Sequence, residues 1–162
     1  MMSQKETTLY KAIGTIQILF SASLLFVFLY YSPQVQGTVV VPELLRNLII
    51  YALFLASGIG IVFQKKYLFL SSFVVYPILI LRRVDWIYLH LRTEKIGEGI
   101  DHLYKAIIWN SLFQLIFAAL FIYILMFLLH NKVLSKFSGV SKKITLINIV
   151  AGSIAYIMFF RL

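Results

Sequence analysis

Two histidines and two glutamates follow one another at regular intervals in the most charged segment of the chain. His90, Glu94, Glu98 and His102 are each four residues apart. Residues four apart share one face of a continuous helix, so these side chains would form a single stripe. Imidazole and carboxylate groups arranged in this way provide the ligands of a catalytic zinc or a two-metal site, with water completing the coordination. We treat the four residues as a candidate metal site, and as the site that a lipid-headgroup enzyme would use.

The same segment has a simpler interpretation, which is a solvated helix at the membrane interface. Gly97 and Gly99 each lower the helix propensity by about 1 kcal/mol, and Glu94 can balance the charge of Lys95. The chain has no cysteine, which excludes disulfides, thiolate metal sites and cysteine nucleophiles. No phosphate-binding glycine loop, His-Glu-x-x-His zinc motif or Gly-x-Ser-x-Gly nucleophile turn occurs. The sequence therefore favours a protein without enzymatic activity, and it identifies no cofactor.

Polar side chains also recur inside the apolar segments, at the spacing of a helix face. The set consists of Gln17, Ser21, Asn110, Gln114 and Asn148. A polar amide in a membrane helix is expected to face protein or water and not lipid. These residues would form interhelical hydrogen bonds, worth about 0.6 kcal/mol each on average. The alternative is that they line a polar path between the helices of a carrier or channel.

Two pairs of small residues are spaced four apart, Ala56 with Gly60 and Ala151 with Ala155. Pairs of this kind let two helix backbones approach closely in a membrane, where lipid gives helices no hydrophobic reason to associate. We expect both pairs to pack on other helices of the bundle. The alternative is a face at which two copies of the chain meet.

Composition indicates a membrane protein. Of the 162 residues, 61% are hydrophobic and 13% are charged, whereas about 25% of the residues in an ordinary soluble domain are charged. The net charge of +9 comes from basic residues scattered at the ends of apolar segments. This distribution fits anchoring to anionic lipid headgroups and does not form the dense patch typical of nucleic-acid binding. The expected partners are the bilayer and another membrane protein or a second copy, and no nucleic acid.

The apolar segments predict an all-α helical bundle that spans the membrane five times, as one domain covering residues 1–162. A span needs about 20 apolar residues. The predicted spans are residues 12–31, 41–63, 67–85, 106–130 and 144–160. The third is the weakest, because Pro77 interrupts it. In the alternative, four spans accompany a re-entrant or interfacial segment, and in both versions we expect the interface anchors to be Arg82, Arg83, Trp86 and Tyr88.

Counting basic residues does not resolve the number of spans. Five spans place eight Lys and Arg residues on the side of the N-terminus and seven on the other side. Four spans place ten against five, so the positive-inside rule favours four. Segment length and the short Gln64 to Lys66 connection favour five, which we adopt with the N-terminus in the cytoplasm.

A short sequence match predicts an internal duplication. Residues 9–13 and 103–107 have the same sequence, LYKAI, and each copy opens a hydrophobic segment. The match predicts equivalent hairpins over residues 9–63 and 103–158, as in transporters that bind a solute between two repeats. Coincidence is the alternative, because apolar helices use few residue types.

Three functions remain open from the sequence. Scarce charge and small-residue faces favour a non-enzymatic subunit, assembly partner or immunity-type protein that recognises another membrane protein. A small carrier or channel and a lipid-headgroup enzyme are the alternatives. The abundance of Ile, Phe, Lys and Tyr is typical of an AT-rich genome, and we expect a bacterial inner membrane.

Overall fold

The computed structural model describes residues 4–31, 41–93 and 101–161, and within these ranges the chain is helical with no strand. The described helices are α1 (Gln4–Tyr31), α2 (Val41–Val62), α3 (Lys66–Leu70), α4 (Ser72–Thr93), α5 (Asp101–Leu128), α6 (Asn131–Leu134) and α7 (Lys142–Tyr156), which a π-helical turn extends over Ile157–Arg161. The predicted all-α architecture is confirmed.

Five stretches of these described helices are long and apolar enough to cross a membrane. They are Thr8–Tyr30, Leu45–Val62, Lys66–Leu89, Ile108–Leu128 and Lys142–Phe159. The prediction of five spans is therefore confirmed, and the chain is an integral membrane helical bundle. The third stretch is longer than the predicted 67–85, because the apolar helical structure continues past Asp85 to Leu89.

Pro77 lies inside α4 without ending it. Proline has no backbone N–H, so it removes one hydrogen bond from a helix. The helix instead breaks earlier, at Ser71, which separates α3 from α4. The Ser71 hydroxyl donates to the Leu68 carbonyl oxygen at 2.6 Å, which satisfies an acceptor at the end of α3.

α4 is the central helix of the described bundle. α2, α5 and α7 each pack along it, and α1 packs on α2. α2 and α4 are antiparallel, since Ser57 contacts Ser72 at one end and Asn47 contacts Arg82 at the other. α4, which packs on three of the other four long helices, thus contains the span that the sequence predicted as the weakest.

The helices bring their basic residues to two ends. We call one the lysine end; it contains Lys65, Lys66, Lys132, Lys136, Lys142 and Lys143. Here the Phe137 ring stacks on Phe69 with centroids 3.7 Å apart, and Tyr10 meets Phe137 edge-on at 6.1 Å. These rings tie the segment after α5 to α1 and α3. The opposite end, towards which Arg82 and Arg83 lie, is called the arginine end.

A tight turn joins α2 to α3 at the lysine end. Gln64 adopts a φ of 54°, a left-handed conformation that is unusual without glycine. Gly60 lies against the backbone of α3, since a Cβ there would come within 2.2 Å of the Phe69 backbone nitrogen. Gly60 therefore packs within the chain as the small-residue pair predicted, although its neighbour is the short α3 and not another long helix.

The two halves of the predicted duplication do not pack alike. α1 packs along α2, whereas α5 and α7 each pack along α4. In the described residues the helix contacts of the two halves therefore differ. The duplication stays a prediction about ancestry.

Candidate functional site

Gln17 of α1 is at the centre of a buried polar cluster. Its Nε2 donates to the Phe54 carbonyl oxygen at 2.9 Å and to the Ser57 hydroxyl at 2.7 Å. Its Oε1 accepts a hydrogen bond from the Tyr76 hydroxyl at 2.8 Å. Gln17, Ser57 and Tyr76 are each at most 3% exposed. The amide is fully used in holding α1, α2 and α4 together.

Two serines complete the polar cluster. The Ser57 and Ser72 hydroxyl oxygens are 2.6 Å apart. Ser21 is also buried, but its hydroxyl donates to the Gln17 carbonyl oxygen of its own helix at 2.7 Å. Sequence reasoning missed Ser57, Ser72 and Tyr76, because none belongs to a polar spacing pattern in its own helix. The cluster is a structural element that joins helices.

The polar residues predicted to line a path do not converge. Asn110 is exposed, and its side-chain oxygen accepts from Gln114 at 3.4 Å. Asn148 donates to the Ile144 carbonyl oxygen of its own helix at 2.8 Å. The side-chain amide of Gln17 forms its hydrogen bonds with α2 and α4. The described arrangement therefore provides no continuous polar path through these residues.

Arg82 and Arg83 lie inside the bundle and not at its edge. The Arg82 Nη1 donates to the Asn47 Oδ1 of α2 at 2.7 Å, and the Arg83 Nη1 donates to the Gln114 Oε1 of α5 at 2.5 Å. Arg83 is six residues before Leu89, where the span ends, which is about 9 Å along the helix. The two were predicted as interface anchors, and amides of α2 and α5 hold both side chains.

The other two predicted anchors take different positions. Tyr88 is exposed on the surface of α4. Trp86 is half-buried and lines a cavity beside the two arginines. Only Tyr88 thus occupies the kind of position expected of an aromatic belt residue.

Apart from the adjacent Arg82, the groups described in contact with Arg83 are neutral. Besides Gln114, the guanidinium lies over the Phe117 ring, 5.6 Å from its centroid. Its Nε is buried and has no hydrogen-bond partner. No carboxylate among the described residues pairs with Arg83. A buried donor without a partner costs about 1–3 kcal/mol.

A cavity of about 320 Å³ lies beside both arginines. Its polar groups are the two guanidinium groups, the Tyr51 phenol and the Trp86 indole. The remaining walls are aliphatic and aromatic side chains of α1, α2, α4 and α5. The described lining provides hydrogen-bond donors and contains no nucleophile paired with a base. The cavity is therefore suited to binding an anion.

An apolar groove of about 360 Å³ lies next to this cavity. The two share Phe20, Phe54 and Phe121. α1 and α5 form the walls of the groove, while Phe54 of α2 and Tyr76 of α4 form its floor. Along α1 the lining extends from Leu9 to Phe20, about 16 Å of helix axis.

Asp85 and Gly152 join α4 to α7. The Asp85 Oδ2 accepts a hydrogen bond from the Tyr156 hydroxyl at 2.5 Å. A Cβ on Gly152 would lie 2.4 Å from the Val74 carbonyl oxygen, so the two backbones are in close contact there.

The predicted packing pair of α7 was offset by one residue, since Ala151 is exposed and Ala155 is half-buried. In α2, Ala56 is half-buried next to Ser57.

The candidate metal residues fall outside the side chains that the structure describes. Glu94 and Glu98 are outside the described ranges, and only the backbone of His90 in α4 and His102 in α5 is described. α4 and α5 lie side by side, with Arg83 contacting Gln114. The prediction placed both histidines on one continuous helix, whereas the structure places His90 in α4 and His102 in α5. Within the described part of the chain, no group of three or more potential ligands could hold a metal.

No protein-family model, curated protein or solved structure matches this chain. The geometry of the described residues therefore carries the functional argument. That geometry places a cationic cavity beside an apolar groove within one membrane bundle.

Proposed function

We propose that this protein binds a membrane lipid in the groove between α1 and α5, without catalysing a reaction. The observation that carries the proposal is that the apolar groove adjoins the arginine-lined cavity, with Phe20, Phe54 and Phe121 lining both. A molecule that fills both must be apolar over most of its length and polar at one end. Membrane lipids have this composition.

The position of the groove supports the same conclusion. α1 and α5 do not pack along one another over their described residues, so the groove opens sideways between two membrane-spanning helices. The surroundings at that opening are hydrocarbon. One leaflet is about 15 Å thick, half of the roughly 30 Å core, which is close to the length of the groove along α1. An acyl chain entering from the bilayer would fit this space.

Native mass spectrometry of protein purified in mild detergent tests the proposal. The wild-type chain should retain about one lipid per protein through purification. Leu120 lines the groove, and Leu120→Trp should abolish retention because the indole fills the space for the acyl chain. Leu115, exposed elsewhere on α5, lines neither cavity, and Leu115→Trp is the matched control. A wild-type chain without bound lipid, or equal loss in both variants, would exclude the proposal.

A second candidate function is recognition of another membrane helix through α7. Ala151 is exposed on α7, whereas the adjacent Gly152 faces α4. A small exposed residue on a span allows close approach of a helix from a partner protein or a second copy. The chain has no cysteine, so Ala151→Cys introduces a single thiol. It should form cross-linked species in membranes, whereas Leu115→Cys should not; similar cross-linking of both would reject this function.

We further propose a bacterial cytoplasmic membrane, with the lysine end facing the cytoplasm. The Ile, Phe, Lys and Tyr content supports a bacterial source. Eight basic residues belong to the lysine side and seven to the other. Arg82 and Arg83 contact neighbouring helices, and seven minus these two leaves five. An excess of eight basic residues on the lysine side over five on the opposite side agrees with the positive-inside rule.

A further inference from the structure

Arg83 is a cation with a fixed position and an incomplete set of partners. Its Nη1 is held by Gln114, its ring neighbour is Phe117, and its Nε has no partner. A charged side chain at membrane depth marks a functional site more often than not. The described protein groups orient this guanidinium without neutralising it.

We infer that the arginine cavity binds the phosphate of an anionic phospholipid whose acyl chain occupies the α1–α5 groove. This inference rests on the lipid-binding function proposed above and adds the headgroup class. Arg82 and Arg83 lie between the middle of their span and the arginine end, whereas the groove extends along α1 from Phe20 to Leu9 near the lysine end, so the acyl chain would point away from the arginine end.

The chemistry of the two guanidinium groups favours a phosphate. Each arginine carries five N–H donors in a planar fork that matches phosphate oxygens. Asn47 and Gln114 each accept from one Nη1 and so fix the direction of the side chains. Two adjacent arginines that reach opposite neighbouring helices, yet line one cavity, can contact one phosphate from two sides. Such charge-assisted contacts are stronger than neutral hydrogen bonds.

The charges around the cavity favour an anionic headgroup over a zwitterionic one. The described lining contains no carboxylate, and the contacts described for Arg83 are with the neutral Gln114 and Phe117. The ammonium of a choline or ethanolamine headgroup would therefore meet like charge. Asp85 is on the same helix, but it does not line the cavity and accepts a hydrogen bond from Tyr156. A phosphodiester with an uncharged alcohol, as in phosphatidylglycerol, avoids this repulsion.

Competition between lipids tests the inference. Protein is placed in nanodiscs of equimolar phosphatidylglycerol and phosphatidylcholine, and the lipid retained on release is quantified by native mass spectrometry. The wild-type chain should retain phosphatidylglycerol in about tenfold excess. Arg83→Gln should bring the ratio close to one while lipid is still retained. Arg83→Lys should give an intermediate ratio, because it keeps the charge and loses the fork.

The controls separate this inference from the function on which it rests. Lys132→Gln removes an equal charge at the lysine end and should leave the ratio unchanged. If the Arg83 variants do not fold, Arg82→Gln serves as the second variant and should lower the ratio. Retained lipid without headgroup preference, or a preference that neither arginine variant changes, would overturn the inference and leave lipid binding intact. Loss of all lipid from the wild-type chain would remove lipid binding itself.

Discussion

Gln17 and Arg83 are both polar residues inside membrane helices, but their hydrogen-bonding groups are used differently. The Gln17 amide donates to two groups and accepts from Tyr76, all within the protein. Arg83 has one amide partner and a buried Nε without one. The first arrangement satisfies the side-chain amide within the protein, and the second leaves one buried donor unsatisfied.

Replacing Gln17 with leucine should destabilise the bundle, because the Ser57 and Tyr76 hydroxyl groups would lose a buried partner. We expect Gln17→Leu to lower the free energy of unfolding by about 1–3 kcal/mol, measured by SDS titration in mixed micelles. Ser23 is exposed and bonds to the Leu19 carbonyl oxygen of its own helix, so Ser23→Ala should have no measurable effect. Equal stability of the two variants would show that the polar cluster does not stabilise the fold.

The polar spacing in α1 placed Gln17 and Ser21 on one face, and both are buried. The spacing could not reveal their surroundings, because Ser57 and Tyr76 lie 40 and 59 residues away along the chain. Arg82 and Arg83 were treated as the end of an apolar segment. Hydropathy counts each arginine as exposed, whereas amides from α2 and α5 solvate both inside the bundle.

At the scale of elements, the packing of the bundle depends on how closely the neighbouring helices approach α4. α7 makes this approach through Gly152, against the Val74 backbone. The small-residue spacing identified the correct stretch of α7 but selected Ala151, which is exposed. Adjacent residues differ by about 100° around a helix, and spacing alone does not indicate which of two neighbouring faces is the inner one.

Any side chain at Gly152 should separate α7 from α4. Gly152→Leu should lower the free energy of unfolding by about 1–3 kcal/mol, through steric overlap with the Val74 backbone. Ala151→Leu adds similar bulk on the exposed face and should change stability far less. Thermal unfolding in detergent measures both. Comparable destabilisation by the two substitutions would contradict the described packing of α7.

At the scale of the whole molecule, alternating spans bring the Lys65 turn and the segment from His130 to Ser141 to the lysine end, with the start of α1. Phe137 contacts Phe69 and Tyr10 there. Five spans were predictable from apolar length. Their arrangement around α4 was not, since it depends on contacts between distant helices.

Labelling of single cysteines in cells tests the proposed orientation. Ser138 is exposed at the lysine end, so Ser138→Cys should react with a membrane-impermeant maleimide only after the cells are permeabilised. Gly37 lies between α1 and α2 in the sequence, and Gly37→Cys should react in intact cells. The cysteine-free parent chain gives the background. The reverse labelling pattern would place the N-terminus outside the cytoplasm.

The contact between Arg83 and Gln114 also has a consequence for biogenesis. The two residues are 31 positions apart, so a ribosome adding about 5–20 residues per second makes Gln114 roughly 2–6 s after Arg83. During that interval Arg83 of α4 has been made, but the Gln114 amide that accepts its hydrogen bond has not. A guanidinium group without a partner is costly in hydrocarbon. Lipid phosphates or the insertion machinery must solvate it first. The insertion of α4 into the membrane is therefore complete only after α5 has also entered the membrane.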